Sequence, residues 1–184
     1  LHQRMTTDGR ARPGVEVRIV DDEGRDLPTG LEGEIVTRGP DMFLGYLDPD
    51  VDAGAWLDNS WFLSGDIGRR DEAGFLSITD RKKDIMIRGG ENISSREVED
   101  FLLRIDGVRE AAVVGYPDAR LGERICAYLI VEPGVSIDMA KVDSDFRRFG
   151  AARQKTPERI IVATDLPRTA AGKIRKADLR QEPR

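Results

Sequence analysis

Lys173 follows Gly172 in the string LPRTAAGKIRKADLR, residues 166–180, with Arg168 upstream and Arg175 and Lys176 downstream. An ammonium carried on a cationic glycine loop suits a developing negative charge, such as a phosphate being displaced. The string alone also describes a solvated basic tail. A second candidate is Asp66, in Ser64-Gly65-Asp66-Ile67-Gly68. A carboxylate at the end of a strand can accept from both hydroxyls of a ribose, with a flanking glycine allowing close approach. The same pentapeptide fits a turn aspartate that caps its own backbone. Arg81-Lys82-Lys83-Asp84 reads as a solvated linker or as a hinge, with Arg81 reaching a ribose or phosphate. Gly89 and Gly90 leave room for a thin ligand, or form a tight strand–helix turn. No GxxxxGK[ST] phosphate loop is present.

Other chemistries are excluded by composition. Cys126 is the only cysteine and His2 the only histidine among 184 residues. One cysteine makes an internal disulfide impossible, and with the one histidine at the chain's start neither a Cys/His zinc site nor a Ser-His-Asp triad is expected. Cys126 lies in ICAYLIV, a buried-type strand, and is read as a packed thiol. His2 is placed at a frayed terminus. The net charge of -5 argues against nucleic acid as a partner. No apolar run approaches the ~18 residues of a membrane span. The first ten residues lack the apolar core of a signal peptide, so a cytoplasmic location is expected. The chain does not begin with Met and is expected to be a fragment or a processed product.

The elements that must position these residues change character along the chain. Residues 15–20 and 33–38 alternate at the strand period, with a turn at 21–24. Residues 40–58 read as irregular. Residues 61–67 and 74–78 form a hairpin-like pair, so residues 1–80 read as an all-β piece. Beyond a break at 81–84 the pattern is strand–helix–strand–strand–helix–strand. Residues 85–87 are a strand, and Ser94 with Glu97 makes a capping box. Val98, Phe101, Leu102 and Ile105 mark one face of the following helix. Residues 111–114 and 125–131 are buried-type strands. A helix over 137–149 turns Met139, Val142, Phe146 and Phe149 inward, and 160–162 is a last strand. From Lys173 onward a short, loosely tethered helix is expected. The fold class is thus α+β, with domains at 1–80 and 85–184 joined by a hinge at 81–84.

Taken in order, WFLSGDIG, DRKKDIMIRGGENISSREVE and LPRTAAGKIRK resemble three motifs of the adenylate-forming superfamily. That superfamily comprises acyl-CoA synthetases, peptide-synthetase adenylation domains and beetle luciferases. The first string resembles its ribose-binding motif, the second its hinge and following loop, the third its catalytic-lysine motif. The resemblance extends through PGVEVRIVDDEG and LPTGLEGEIVTRGPDMFLGYLD, hence over nearly the whole chain. It implies that residues 1–80 are part of a distorted barrel ending a large N-terminal domain, and that 85–184 are the mobile C-terminal domain. It implies further that Asp66 holds the ribose hydroxyls, Arg81 contacts ribose and phosphate, and Lys83 is the hinge. Gly89 and Gly90 would line the passage of the CoA pantetheine arm, and Lys173 would bridge the carboxylate and α-phosphate during adenylation. ATP, CoA and a carboxylic acid are the implied substrates. Mg2+ is implied as well, with its ligand, the phosphate loop and most of the acid pocket in a missing N-terminal domain, so that the fragment is inactive alone. RGGENIS looks most like acyl- and fatty-acid–CoA ligases. An adenylation domain with another acceptor, or a non-catalytic nucleotide-binding or interaction module, are the alternatives. The resemblance also suggests regulatory acylation of Lys173.

Overall fold

The computed structural model describes residues 7–58 and 60–181. His2 lies outside them. The chain divides into two compact units, 1–83 and 84–184.

The first unit is a curled half-barrel of antiparallel strands. Its strands are β1 (Gly9–Arg10), β2 (Glu16–Val20), β3 (Gly33–Arg38), β4 (Trp56–Leu57), β5 (Trp61–Arg70) and β6 (Phe75–Arg81). They run in the order β1-β6-β5-β3-β2, with β4 on the margin of β5. Val20, Val36 and Trp61 form its small core, with Leu57 and Leu63 against it. The hairpin expected around the Asp71–Gly74 turn is present, and its strands are longer than the apolar pattern indicated: Asp66 pairs with Arg81. The stretch 40–58 is not wholly irregular. It contains α1 (Pro49–Ala53), started by the Asp48 side chain accepting from the Asp50 N–H, with proline where its missing donor costs nothing. Asp52 then accepts from Tyr46 N and Trp56 Nε1, and the Trp56 bond leads in lowering its pKa.

The second unit is built on one long hairpin, β9 (Val108–Asp118) with β10 (Gly122–Val131). Asp118 closes its turn by accepting from Arg120 N and Leu121 N, and the Leu121 bond is the chief cause of its lowered pKa. Strand period puts alternate residues on opposite faces. Ala111, Val113, Ile125, Ala127 and Leu129 share one core with Val98, Leu102, Val142 and Phe146 of α2 (Ser95–Leu102) and α3 (Met139–Arg148). Ala112, Val114, Cys126 and Tyr128 face the other way, against Leu166 and Leu179. β11 (Arg159–Val162) runs parallel to β10, and β7 (Ile85–Arg88) touches its start at Gly122. Ser94 caps α2 by accepting from Glu97 N. Met139 is exposed, not inward, because Asp138 is the cap of α3 and Met139 its first residue.

Gly89-Gly90 does not lead directly into a helix; it joins β7 to β8 (Glu91–Ser94), and the helix starts only after that strand. The tail is also not loosely tethered. Its helix, α4 (Lys176–Arg180), buries Leu179, whose carbonyl accepts from the Tyr128 hydroxyl at 3.0 Å.

Candidate active site

In the first unit the site begins with an irregularity in the sheet. Glu34 pairs with Ile67 and Val36 with Leu63, so Ile35 alone stands opposite Ser64, Gly65 and Asp66. Such a bulge bends its strand, re-aims side chains and releases backbone donors from the ladder. Gly65 takes φ +70°, which a Cβ would disfavour although nothing lies within 4 Å to meet one. The freed donors are caught by side chains. Gly65 N donates to Glu34 Oε1 at 3.2 Å and Asp66 N to Ser64 Oγ at 3.0 Å, while Ser64 Oγ donates to Ile35 O at 2.6 Å.

The cross-strand register then sets Arg81 beside Asp66, Nε to Oδ1 at 2.7 Å. Ser64, Gly65, Arg81, Lys82 and Lys83 line an open concavity here. Lys82 turns to the buried Glu34 carboxylate at 2.9 Å and to Asp22 at 3.1 Å. Those contacts, the Glu34 bond foremost, hold its pKa above the ordinary lysine value. Asp66 and Arg81, nominated separately from sequence, are thus brought together. Glu34 was missed; its signal was a charged residue among the buried positions of β3.

In the second unit Gly89 and Gly90 occupy the two-residue loop of the β7–β8 hairpin, with φ of +61° and +85°. Positive φ at both loop positions is what a type I′ hairpin requires, so the turn itself accounts for both glycines. Gly89 N donates to Leu121 O at 2.7 Å. Arg88 pairs with Glu158, which also accepts from Ile125 N, and Glu123 accepts from Ile87 N. The loop is therefore fixed to the turn end of β9–β10.

Lys173 sits on a separate turn. Thr169 N donates to Lys173 O at 2.7 Å, Lys173 N to Thr169 Oγ1 at 3.2 Å, and Gly172 takes φ +82°. Arg168 clamps this turn to Glu110 at 2.5 Å, and that contact raises the arginine's pKa. Downstream, Lys176 Nζ reaches Glu99 at 2.7 Å and Ser95 at 2.8 Å, and Arg180 reaches Asp84 at 2.5 Å. Among the described residues the exposed Lys173 ammonium makes no ion pair. Its turn is tied at Glu110, whereas the glycine loop lies by the turn beyond Asp118, so roughly 26 Å of β9 separates the two anchors at about 3.3 Å per residue. Lys173 and Gly90 are not brought together.

Among the described residues no cluster of three His, Cys, Asp or Glu side chains could hold a metal ion. No described helix is long and apolar enough to cross a membrane. Cys126 is fully buried, and desolvation pushes its thiol up to about 11.

Residues 97–173 match the AMP-binding enzyme C-terminal domain, and residues 2–47 match the AMP-binding enzyme family. The chain is 50% identical to the medium-chain fatty-acid–CoA ligase of Escherichia coli K12, over 99% of its own length and 32% of that protein. It is 43% identical to a 2-hydroxy-7-methoxy-5-methyl-1-naphthoate–CoA ligase of Streptomyces carzinostaticus, over 95% of this chain and 32% of the relative. The chain thus spans about a third of the length of the curated relatives it matches. Among solved structures, ATP-bound MatB from Rhodopseudomonas palustris superposes with a TM-score of 0.87 at 36% identity, over 96% of this chain and 35% of that one. The amide bond synthetase McbA of Marinactinospora thermotolerans does so with a TM-score of 0.83 at 37% identity, over 100% and 38%. By its motifs, its fold and these relatives, the chain belongs to the adenylate-forming superfamily of AMP-binding enzymes.

Proposed function

We propose that this chain works as the C-terminal part of an ATP-dependent acid–thiol ligase. The enzyme joins a carboxylic acid to AMP and then passes the acyl group to CoA. The observation that carries the reading is the Asp66–Arg81 pair, set by hairpin register beside an open concavity. Asp66 accepts from the ribose hydroxyls, and Arg81 meets ribose and phosphate. In the first half-reaction the acid's carboxylate oxygen attacks the α-phosphorus, a P–O bond forms, and the bond to pyrophosphate breaks. Lys173 donates to the oxygens on which charge builds. In the second half-reaction the thiol sulfur of CoA attacks the acyl carbon and AMP leaves. Gly89 and Gly90 line the approach of the thiol arm, and the unit carrying both sites changes face by rotation at Lys83.

Mg2+ and its ligands, the phosphate loop and the acid pocket belong to an upstream N-terminal domain in this reading. The fully exposed Leu44 and Leu47, beside the ring cluster of Phe43, Tyr46, Trp56 and Phe62, fit a surface that such a domain covers. The 184 residues alone are inactive. The acyl group is set outside them, and the relatives' names span fatty and aromatic acids. ATP and CoA point to the cytoplasm as the place of work. Acylation of Lys173 would remove its charge and stop the first half-reaction only.

The test is Lys173→Ala in the full-length protein, assayed with a panel of fatty and aromatic acids. ATP–pyrophosphate exchange falls, while thioester formation from preformed acyl-AMP persists. Equal loss in both assays would refute the division of labour. A second reading, an amine acceptor in place of CoA, is favoured by the match to an amide bond synthetase along the whole chain. Offering CoA and simple amines to the preformed acyl-AMP complex separates the two.

A further inference from the structure

We propose that Glu34 is the positioning residue of the nucleotide site, one buried carboxylate holding both the Asp66 bulge and the segment that enters the hinge. The inference rests on the adenylate-forming reading above and deepens it.

Glu34 is 6% exposed, on a strand whose next two residues are also buried. A carboxylate in such a position is costly unless its oxygens are paired. They are paired in two directions. Oε1 accepts from Gly65 N, a donor that the bulge has removed from the ladder. Oε2 accepts from Lys82 Nζ, adjacent in sequence to both Arg81 and Lys83. Asp22, from the turn after β2, holds the same ammonium from outside. Glu34 therefore ties the backbone in front of Asp66 to the side chain next to Arg81. The two nucleotide-facing groups sit on different strands, and their 2.7 Å approach depends on both strands being held. Glu34 is buried while Lys82 stays half-exposed, and an ion pair with a buried partner adds little net stability; its better-attested use is to specify one arrangement. Here the arrangement is the bulge and a fixed approach to Lys83, so that rotation begins at Lys83 and not one residue earlier.

The experiment measures ATP KM and kcat for pyrophosphate exchange in the full-length protein, with thermal melting alongside. Glu34→Gln keeps an acceptor for Gly65 N and withdraws the carboxylate from Lys82. Lys82→Met withdraws the ammonium and leaves Glu34. Each raises ATP KM about tenfold, the order expected for one hydrogen bond to a charged group, with kcat within about twofold. The double substitution adds little to either one, and Lys82→Arg restores KM. Because Lys82 is half-exposed, its variants keep the test open if Glu34→Gln fails to fold. Melting shifts with an unchanged ATP KM would overturn the positioning role. Absence of any exchange in the unsubstituted protein would instead refute the ligase reading itself.

Discussion

Lys173 is held by its turn and not by its charge. Its backbone is bonded to Thr169 on both sides, and Arg168 anchors the loop through Glu110. Lys173→Ala should therefore leave the melting temperature unchanged while adenylation falls about a hundred- to a thousandfold, the usual cost of losing one oxyanion donor. Cys126 is the opposite case, a reactive atom with no access. Its thiol is raised by burial from 9.0 to about 11, so the unfolded chain releases this proton first as pH rises. Stability is fully kept below pH 9, declines between about 9 and 11, and a denaturation series across that window reads it. At pH 8 an alkylating reagent should modify Cys126 only after unfolding. Asp66, Arg81 and Lys173 could be nominated from the sequence because ordered motifs carry them, and hairpin register sets the first two side by side. Glu34 could not be, because its task is to satisfy a donor that a bulge set free, and the bulge exists only once β3 and β5 pair.

The elements differ in how they could be read. β3 was legible to the residue because GEIVTR keeps strand-type spacing and ends in turns. α2 was legible because Ser94 announces it. α1 was hidden by its length of 5 residues, too short for a periodic face. The docking of α4 was hidden because Leu166, Ile174 and Leu179 follow no regular period; only the sheet face they cover relates them. Leu179→Ala should cost about 2–5 kcal/mol of the second unit's stability in chemical denaturation. The β7–β8 loop offers a cleaner experiment. A Cβ at Gly90 meets nothing within 4 Å, so a side chain there points into open space and only backbone strain opposes it. If CoA passes that space, Gly90→Leu in the full-length protein lowers thioester formation from preformed acyl-AMP at least about tenfold, against about twofold for adenylation. Equal losses in both would assign the glycine to the hairpin alone.

At the scale of the molecule, two units with separate cores divide the proposed work: nucleotide contacts in 1–83, lysine and glycine loops in 84–184. The α+β class and the order of a β-rich part before a mixed part were legible from the change of period near residue 80. Isolated, the chain should show no ATP–pyrophosphate exchange with any acid. Leu44→Glu with Leu47→Glu should leave its melting temperature unaltered, since both side chains are already in solvent. If an upstream domain covers them, as proposed, the same pair should destabilise the full-length protein. The two-faced hairpin of the second unit has a consequence for biosynthesis. One face of β9–β10 can be covered once α3 has emerged from the ribosome, but Ala112, Val114, Cys126 and Tyr128 wait for Leu166 and Leu179. The segment that completes this packing is the one that carries Lys173. A nascent chain interrupted before it would leave Ala112, Val114, Cys126 and Tyr128 without the Leu166 and Leu179 cover, an apolar sheet face of the kind that makes incomplete chains prone to aggregate.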